Sequence, residues 1–210
     1  MRKTIIALTT VILANPANAQ TSFSLEAGIN SSIPVREGQT FEGLNRSSLT
    51  GFTAAAGVVT ELKHSFRLYN KLGYTTKRFH ETFFTGADYS GANNYRLSGL
   101  QYHLLFEKVL NNKKKLRFLP AAGLYSTFHL SGDLNYVYST FGGVIKGSRK
   151  LRFGNNEDFS KWDVGFAASL GAEYKKISFR ILSDFGLVNI SSVNKGNWST
   201  VHFTLGYTFR

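Results

Sequence analysis

The end of the chain alternates strictly between two kinds of side chain. Apolar residues take every second position, at Val201, Phe203, Leu205, Tyr207 and Phe209, and small or polar residues lie between them. Successive side chains of a β-strand point to opposite faces, so the stretch is predicted to be a strand with one aromatic, apolar face. Such a face either covers a core or meets lipid. We predict the second, with His202, Thr204 and Thr208 turned inward.

Seven further segments show the same alternation, most clearly residues 162–174, so the chain is predicted to be all-β with eight strands. The 18 Phe and 10 Tyr support this prediction, because aromatic residues favour strands and membrane interfaces. Pro120 falls inside the fifth segment, where it removes one ladder donor. A bulge or a strand end is expected near it.

The start of the chain has the three parts of an export signal. Arg2-Lys3 is basic, Ile5–Ala14 is apolar, and Ala17-Asn18-Ala19 is an A-x-A cleavage site. We therefore expect residues 1–19 to be a cleaved signal peptide and residues 20–210 to be one domain. Beyond residue 20 no apolar run approaches the roughly 18 residues of a membrane helix.

Predicted connections alternate between long and short. The long ones follow the first, third, fifth and seventh strands, at Ser31–Ser48, Gly86–Asn94, Ser131–Ser160 and Ile190–Asn197. Outer-membrane barrels have long extracellular loops, short periplasmic turns and an even strand number. The prediction is an eight-stranded, antiparallel, up-and-down transmembrane β-barrel in the bacterial outer membrane. A soluble exported β-sandwich or a lipocalin-like binding protein is the alternative fold.

Charged and polar residues of both signs occupy the face opposite the apolar one. They are Glu26, Glu61, Arg67, Lys71, Gln101, His103, Glu107, Arg117, Asp163, Glu173, Arg180 and Asp184. In a sandwich this face would meet solvent. In an eight-stranded barrel it is the interior, which side chains just fill, so the charges would have to pair. A lumen filled in this way argues against an open diffusion pore.

One pair of residues suggests catalysis. His129 and Ser131 are two residues apart, hence on one face of a regular strand, where an imidazole could activate a hydroxyl as in a lipid A-modifying barrel enzyme. A His-x-Ser triplet is common, and no acid is evident that would orient the imidazole. The chain has no cysteine, and its five histidines show no metal-ligand spacing, so neither a metal nor a cofactor is expected.

A basic cluster lies in the longest predicted loop, at Lys146, Arg149, Lys150 and Arg152. It could hold the phosphates of lipopolysaccharide or an acidic partner. Equally, it could be a solvated loop that Glu157 and Asp158 partly neutralise. The formal charge is +12, but export makes outer-membrane lipids, lipopolysaccharide or other envelope proteins more natural partners than nucleic acid.

The last quarter of the chain resembles a known family in four short motifs. They are Trp162-Asp163-Val164-Gly165, Leu170-Gly171-Ala172-Glu173-Tyr174, Phe185-Gly186-Leu187-Val188-Asn189-Ile190 and Leu205-Gly206-Tyr207-Thr208-Phe209. These motifs are similar to those of the PorT-like outer-membrane β-barrel proteins of Bacteroidetes-type bacteria. The resemblance implies a barrel of about eight strands without enzyme activity or cofactor, and some members serve a protein-secretion apparatus.

Three functions follow as hypotheses. The first is a structural or interaction protein whose specificity lies in the loops Ser31–Ser48 and Ser131–Ser160. The second is an accessory subunit of a secretion or uptake complex. The third is a lipid A-modifying enzyme that uses His129 and Ser131.

Overall fold

The computed structural model describes residues 20–35, 44–85, 89–111, 116–191 and 196–209. The expected signal peptide, residues 1–19, lies outside the described residues. So do the middle of the first expected loop, residues 36–43, and residues 192–195 of the last one. No helix in the described part of the chain is long and apolar enough to span a membrane.

Ten strands follow one another in the described part of the chain. They are β1 (Thr21–Val35), β2 (Asn45–Glu61), β3 (Phe66–Thr85), β4 (Tyr89–Lys108), β5 (Leu110–Asn111), β6 (Leu116–Thr140), β7 (Gly143–Lys150), β8 (Trp162–Tyr174), β9 (Ile177–Gly186) and β10 (Asn197–Phe209). A single 3₁₀ turn, Lys63–Ser65, joins β2 to β3.

Eight of these strands close into a ring. Antiparallel pairing runs β4-β3-β2-β1-β10-β9-β8-β6, and β6 pairs again with β4. The first and last strands meet in register, with Phe23 opposite Phe209. Strand β5 has two residues and β7 pairs only with β6, so neither belongs to the ring. The predicted eight-stranded antiparallel barrel is confirmed.

Apolar side chains cover the outside of the ring and polar ones fill the inside. In β10, Phe203 and Leu205 are exposed, whereas His202 and Thr204 are buried. The same alternation occurs in β8, where Asp163 is buried and Phe166 is exposed. A charged interior behind an apolar outer surface is the inverse of a soluble core, and it suits strands that are surrounded by lipid. The chain is a transmembrane β-barrel.

The barrel has a short-turn end and a long-loop end. Short connections join β2 to β3, β4 to β6 and β8 to β9 at the short-turn end, where Thr21 and Phe209 also lie. Strands β3, β4 and β6 extend past β8 and β9 at the long-loop end, and β7 pairs with the extension of β6.

Two of the expected loops are therefore largely strand. Tyr89 already begins β4 within the expected loop Gly86–Asn94, and β6 with β7 occupies much of Ser131–Ser160. Strand β6 is 25 residues long, whereas about 9–11 residues of a tilted strand cross a bilayer. Its outer part therefore extends past the lipid, where nothing requires an apolar face. Without that face the alternation in the sequence fades, although the hydrogen-bonded ladder continues.

Pro120 lies where a missing donor does little harm. Its pairing with Leu170 of β8 continues without a break. On the other side of β6, the pairing with β4 ends at Ala121, opposite Glu107. There β5 pairs with Phe118 and Arg117 instead. The expected irregularity near Pro120 is thus an interruption on one side of the strand. Register shifts occur elsewhere, between Leu49 and Thr53 and between Ser98 and Gly99.

Candidate functional site

Ion pairs fill the lumen from the short-turn end to the middle. Arg67 lies 2.7 Å from Glu107 and 3.1 Å from Glu173. Arg180 lies 2.6 Å from Glu107 and 3.5 Å from Glu26. All of these side chains are nearly fully buried. Since charges leave water only at a high cost, pairing at these distances is what allows them to fill the interior.

The chain of contacts continues through a lysine and several uncharged rings. Lys71 Nζ lies 3.1 Å from Glu26, and the guanidinium of Arg180 lies 5.0 Å from the centroid of the Tyr69 ring. Tyr69 and Tyr125 belong to a buried cluster with Val59, Leu105, Ala167 and Leu182. The interior therefore alternates between charge pairs and apolar packing, with aromatic hydroxyls bonded to polar partners.

Two histidines share one carboxylate at mid-height. The Nε2 atoms of His103 and His202 each lie 2.9 Å from an oxygen of Asp184, and Gln101 donates to the same carboxylate. Among the described residues, His103, Asp184 and His202 also form a group that could hold a metal, with donor atoms within 4.8 Å of one another. Here both imidazoles donate to the carboxylate, which accounts for the geometry without an ion. The absence of a metal stays a prediction.

One ion pair lies nearer the long-loop end. Lys77 Nζ lies 2.6 Å from Asp163 Oδ2, and Tyr125 donates to the other oxygen of that carboxylate at 3.0 Å. Lys77 is also 4.9 Å from the centroid of the Trp198 ring. Lys77 is not among the twelve lumen residues predicted from the sequence. The sequence does indicate its position: Arg67, Lys71 and Lys77 are separated by even numbers of residues along β3, so all three side chains point to the same face of the strand.

An aromatic plug closes the lumen above this pair. We give that name to the buried cluster Phe79, Leu97, Leu134, Leu151, Phe159, Ile190 and Trp198, against which Tyr95, Tyr136 and Phe153 pack. Phe159 lies in the segment that follows β7 and stacks on Trp198 at 5.9 Å. The segment after β7 thus folds inward and fills the end of the barrel.

The structure brings most of the twelve predicted lumen residues together. Ten of them are buried inside the barrel. The other two lie at the short-turn rim, where Arg117 is 3.5 Å from Glu173 and 3.9 Å from Glu61, with both Arg117 and Glu61 partly exposed. Arg46 and Glu81 form a further ion pair at 2.6 Å that the sequence analysis missed.

The side chains of His129 and Ser131 point to opposite faces of β6. The register shift opposite Ser98 and Gly99 leaves Leu130 as an extra residue in β6, so the side chains of His129 and Ser131 no longer share a face. The Ser131 hydroxyl hydrogen bonds with that of Ser98 at 2.7 Å and the residue is exposed. The expected same-face geometry was wrong because a bulge changes the phase of the strand.

His129 instead belongs to the packing beneath the plug. It is buried, stacks on Phe153 at 5.5 Å and lies 6.4 Å from Trp198. Neither ring nitrogen has a hydrogen-bond partner among the described residues.

The basic cluster is largely paired with acids. Arg149 donates two hydrogen bonds to Asp158 at 2.7 and 2.8 Å, and Arg152 lies 3.1 Å from Glu157. Lys150 lies 2.6 Å from Asp133. The hydrogen bonds from Arg149 hold the pKa of Asp158 below its ordinary value, and they raise the pKa of Arg149. Lys146 is exposed, and no ion pair involves it in the described part of the chain.

A hairpin, the outer hairpin, is formed by residues 133–150 of β6 and β7. On one side of it Tyr136 and Tyr138 stack at 5.0 Å, and Tyr138 packs against Phe83 and Tyr89. Its tip is apolar and open: Phe141 is 87% exposed, and Val144 and Ile145 are also exposed. Along the other edge of β7 no strand pairs within the described residues.

Comparisons with known proteins find likeness only among solved structures. No family model matches the chain, and no curated protein matches it. Among solved structures, neisserial surface protein A is 10% identical, with a TM-score of 0.47 and coverage of 91% of this chain and 97% of that one. Ail of Yersinia pestis, solved in complex with the heparin analogue sucrose octasulfate, is 12% identical, with a TM-score of 0.40 and coverages of 90% and 99%.

A third solved structure is the translocator domain of the autotransporter NalP from Neisseria meningitidis. It is 9% identical, with a TM-score of 0.39 and coverages of 100% and 95%. Likeness at this level supports no inference about ligand or partner.

Proposed function

We propose that the protein is a small bacterial outer-membrane barrel that does not conduct solutes and acts as an interaction protein through its outer hairpin. By the rule for bacterial barrels, the long-loop end faces the outside and the short turns face the periplasm. A role as accessory subunit of a secretion or uptake complex, as in some PorT-like proteins, is the finer form of this proposal. The motifs in and between β8 and β10 support it.

The filled lumen supports the first part of the proposal. Five buried carboxylates, Glu26, Glu107, Asp163, Glu173 and Asp184, each have a basic side chain within 3.1 Å. The aromatic plug then covers the long-loop end. We expect no steady conductance from the purified protein in planar bilayers. Steady channels of the size that general porins give would refute this.

The exposed apolar tip of the outer hairpin is the observation that supports an interaction role. A soluble surface seldom keeps a contiguous group of large apolar side chains exposed unless it binds something. Here Phe141, Val144 and Ile145 are all exposed at the tip of the hairpin, with Val144 and Ile145 on its two faces, and the neighbouring Lys146 is exposed. The partner that fits is a protein surface with apolar and acidic side chains. An extended segment of that partner could also pair with the open edge of β7.

The test is site-specific photo-crosslinking in living cells. A photoreactive residue replacing Phe141 should capture a partner protein, and the same residue replacing Lys176 at a short turn should not capture that partner. Val144→Ser with Ile145→Ser should abolish the capture. If the Phe141 position captures nothing beyond what the Lys176 position captures, the interaction role fails.

The proposal contains no enzymatic step, because His129 and Ser131 lie on different faces of β6. Overexpression should leave the acylation of lipid A unchanged, as mass spectrometry of extracted lipid A would show. A deacylated product that disappears with Ser131→Ala would restore the enzyme hypothesis.

A further inference from the structure

The outer surface of the barrel has a depression near the short-turn end. It is a groove of about 620 Å³ across β4, β6, β8 and β9, within the range of roughly 300–1,000 Å³ that is usual for small-ligand sites. The groove is far from the outer hairpin and plays no part in the proposed function.

Small side chains form the floor of the groove. Ala122, Ala168 and Ser183 are neighbours across three strands, in register with one another, and Phe106 precedes them on β4. Ala122 and Ala168 are exposed, and Ser183 is partly exposed. In most of the belt, large side chains occupy the equivalent outward positions.

Rows of large side chains form the two walls. On the long-loop side, Leu124, Phe166 and Phe185 are paired in register. On the short-turn side, Pro120 pairs with Leu170, and Leu170 pairs with Ile181. The floor is therefore a channel one residue wide between two apolar ridges, which is the shape that a single extended hydrocarbon chain fills.

A cation lies at one end of this channel. Lys108 lines the groove together with Phe66, and its Nζ lies 4.0 Å from the centroid of the Phe66 ring. The ammonium donates to the carbonyl oxygen of His64 at 2.8 Å. No carboxylate lies within ion-pair distance of it among the described residues, so its charge is not neutralised there by the protein.

We propose that the groove binds one phospholipid of the leaflet at the short-turn end, which is the periplasmic leaflet in the orientation of the proposed function. One acyl chain lies along the floor formed by Ala122, Ala168 and Ser183, and the phosphate pairs with Lys108 at the membrane boundary. The apolar ridges supply the shape and the ammonium supplies the charge that a phosphodiester needs. A lipid held in this way differs from bulk lipid because it stays bound when detergent replaces the bilayer.

Native mass spectrometry of the folded barrel tests the proposal, with phosphatidylglycerol as the probe in detergent. The unchanged protein should bind one copy. Ala168→Phe, which fills the floor, and Lys108→Gln, which removes the charge, should each weaken that binding about tenfold, equivalent to ~1.4 kcal/mol. Heat-modifiable migration on gels establishes that each variant is folded. If Ala168→Phe does not fold, Ala122→Leu replaces it.

Two controls match these variants at residues that do not line the groove. Ala56→Phe adds the same ring to an exposed alanine of β2, and Lys176→Gln removes a lysine at another short turn, where its Nζ lies 6.0 Å from the Tyr207 ring. Both should bind lipid as the unchanged protein does. Equal binding by all variants, equal loss in the controls, or a dimer of the barrel that Ala168→Phe dissociates would each overturn the proposal.

Discussion

Removing Lys77 from the lumen should destabilise the barrel strongly. Its Nζ lies 2.6 Å from Asp163, and the two side chains are 1% and 2% exposed. Lys77→Met puts an unbranched apolar side chain in place of the lysine. Among the described residues it leaves the carboxylate of Asp163 with one hydrogen-bond partner, the hydroxyl of Tyr125 at 3.0 Å. Removing one partner of a buried ion pair costs about 3–5 kcal/mol, because the other charge stays buried without compensation.

A surface ion pair of equal length provides the matched control. Lys150 Nζ also lies 2.6 Å from a carboxylate, that of Asp133, but these side chains are 82% and 42% exposed. Water solvates both charges when the pair is broken, so Lys150→Met should cost at most about 1 kcal/mol. The two substitutions remove the same chemical group over the same distance, and they differ in burial.

A double variant separates charge from packing. Lys77→Met combined with Asp163→Asn removes both charges and leaves an amide that can still accept from Tyr125. It should regain roughly 2 kcal/mol of what Lys77→Met alone loses, as coupling between contacting residues predicts.

Reversible unfolding by urea in detergent or lipid vesicles measures these free energies. Fluorescence of Trp162 and Trp198 and heat-modifiable migration on gels are independent readouts. Because Lys77 lies 4.9 Å from the Trp198 ring, the gel readout guards against a purely spectroscopic effect. If Lys77→Met costs no more than Lys150→Met, the lumen is hydrated and the argument for a packed, poorly solvated interior is refuted.

Three further predictions concern the long-loop end. Phe159→Ala should lower stability by about 3–5 kcal/mol, as for other buried Phe→Ala changes, and should shift the fluorescence of the plug to longer wavelength; an unchanged melting temperature would show that the plug is loose. Since hydrogen bonds from Arg149 lower the pKa of Asp158, the loop contact should persist as pH falls to the ordinary Asp range near ~4 and be lost only below it. Protection of the Arg152 amide, which donates to Asp158 at 3.0 Å, reports this in hydrogen exchange, and loss of protection above the ordinary range would contradict it. Deletion of Leu130 removes the bulge and makes His129 and Ser131 consecutive, so these two residues still point to opposite faces and still pair with Gly99 and Ser98. The outer hairpin should therefore keep its protease resistance, whereas new cleavage there would show that the hairpin depends on the bulge.

Much of the barrel could be predicted from the sequence because a strand in a membrane leaves a strong local signal. Lipid on one side and a filled lumen on the other force alternation at every second residue, so Phe203 and His202 could be assigned to opposite faces without coordinates. The same logic correctly selected Glu26, Arg180 and Asp184 as interior residues. It could not say which charges pair, because ion pairs such as that of Arg67 with Glu173 join strands that are far apart in sequence.

Tertiary structure decided the features that depend on how strands pair, which the alternation within one strand does not encode. The bulge at Leu130 depends on how β6 meets β4, and it changed the facing of Ser131. Beyond the membrane belt there is no lipid to impose alternation, so the strands of the outer hairpin were expected as loop. The groove beside Lys108 arises from register across four strands, since Ala122 and Ala168 become neighbours only when the sheet forms. The sequence determined which face of each strand meets lipid, and the closed sheet determined which residues meet one another.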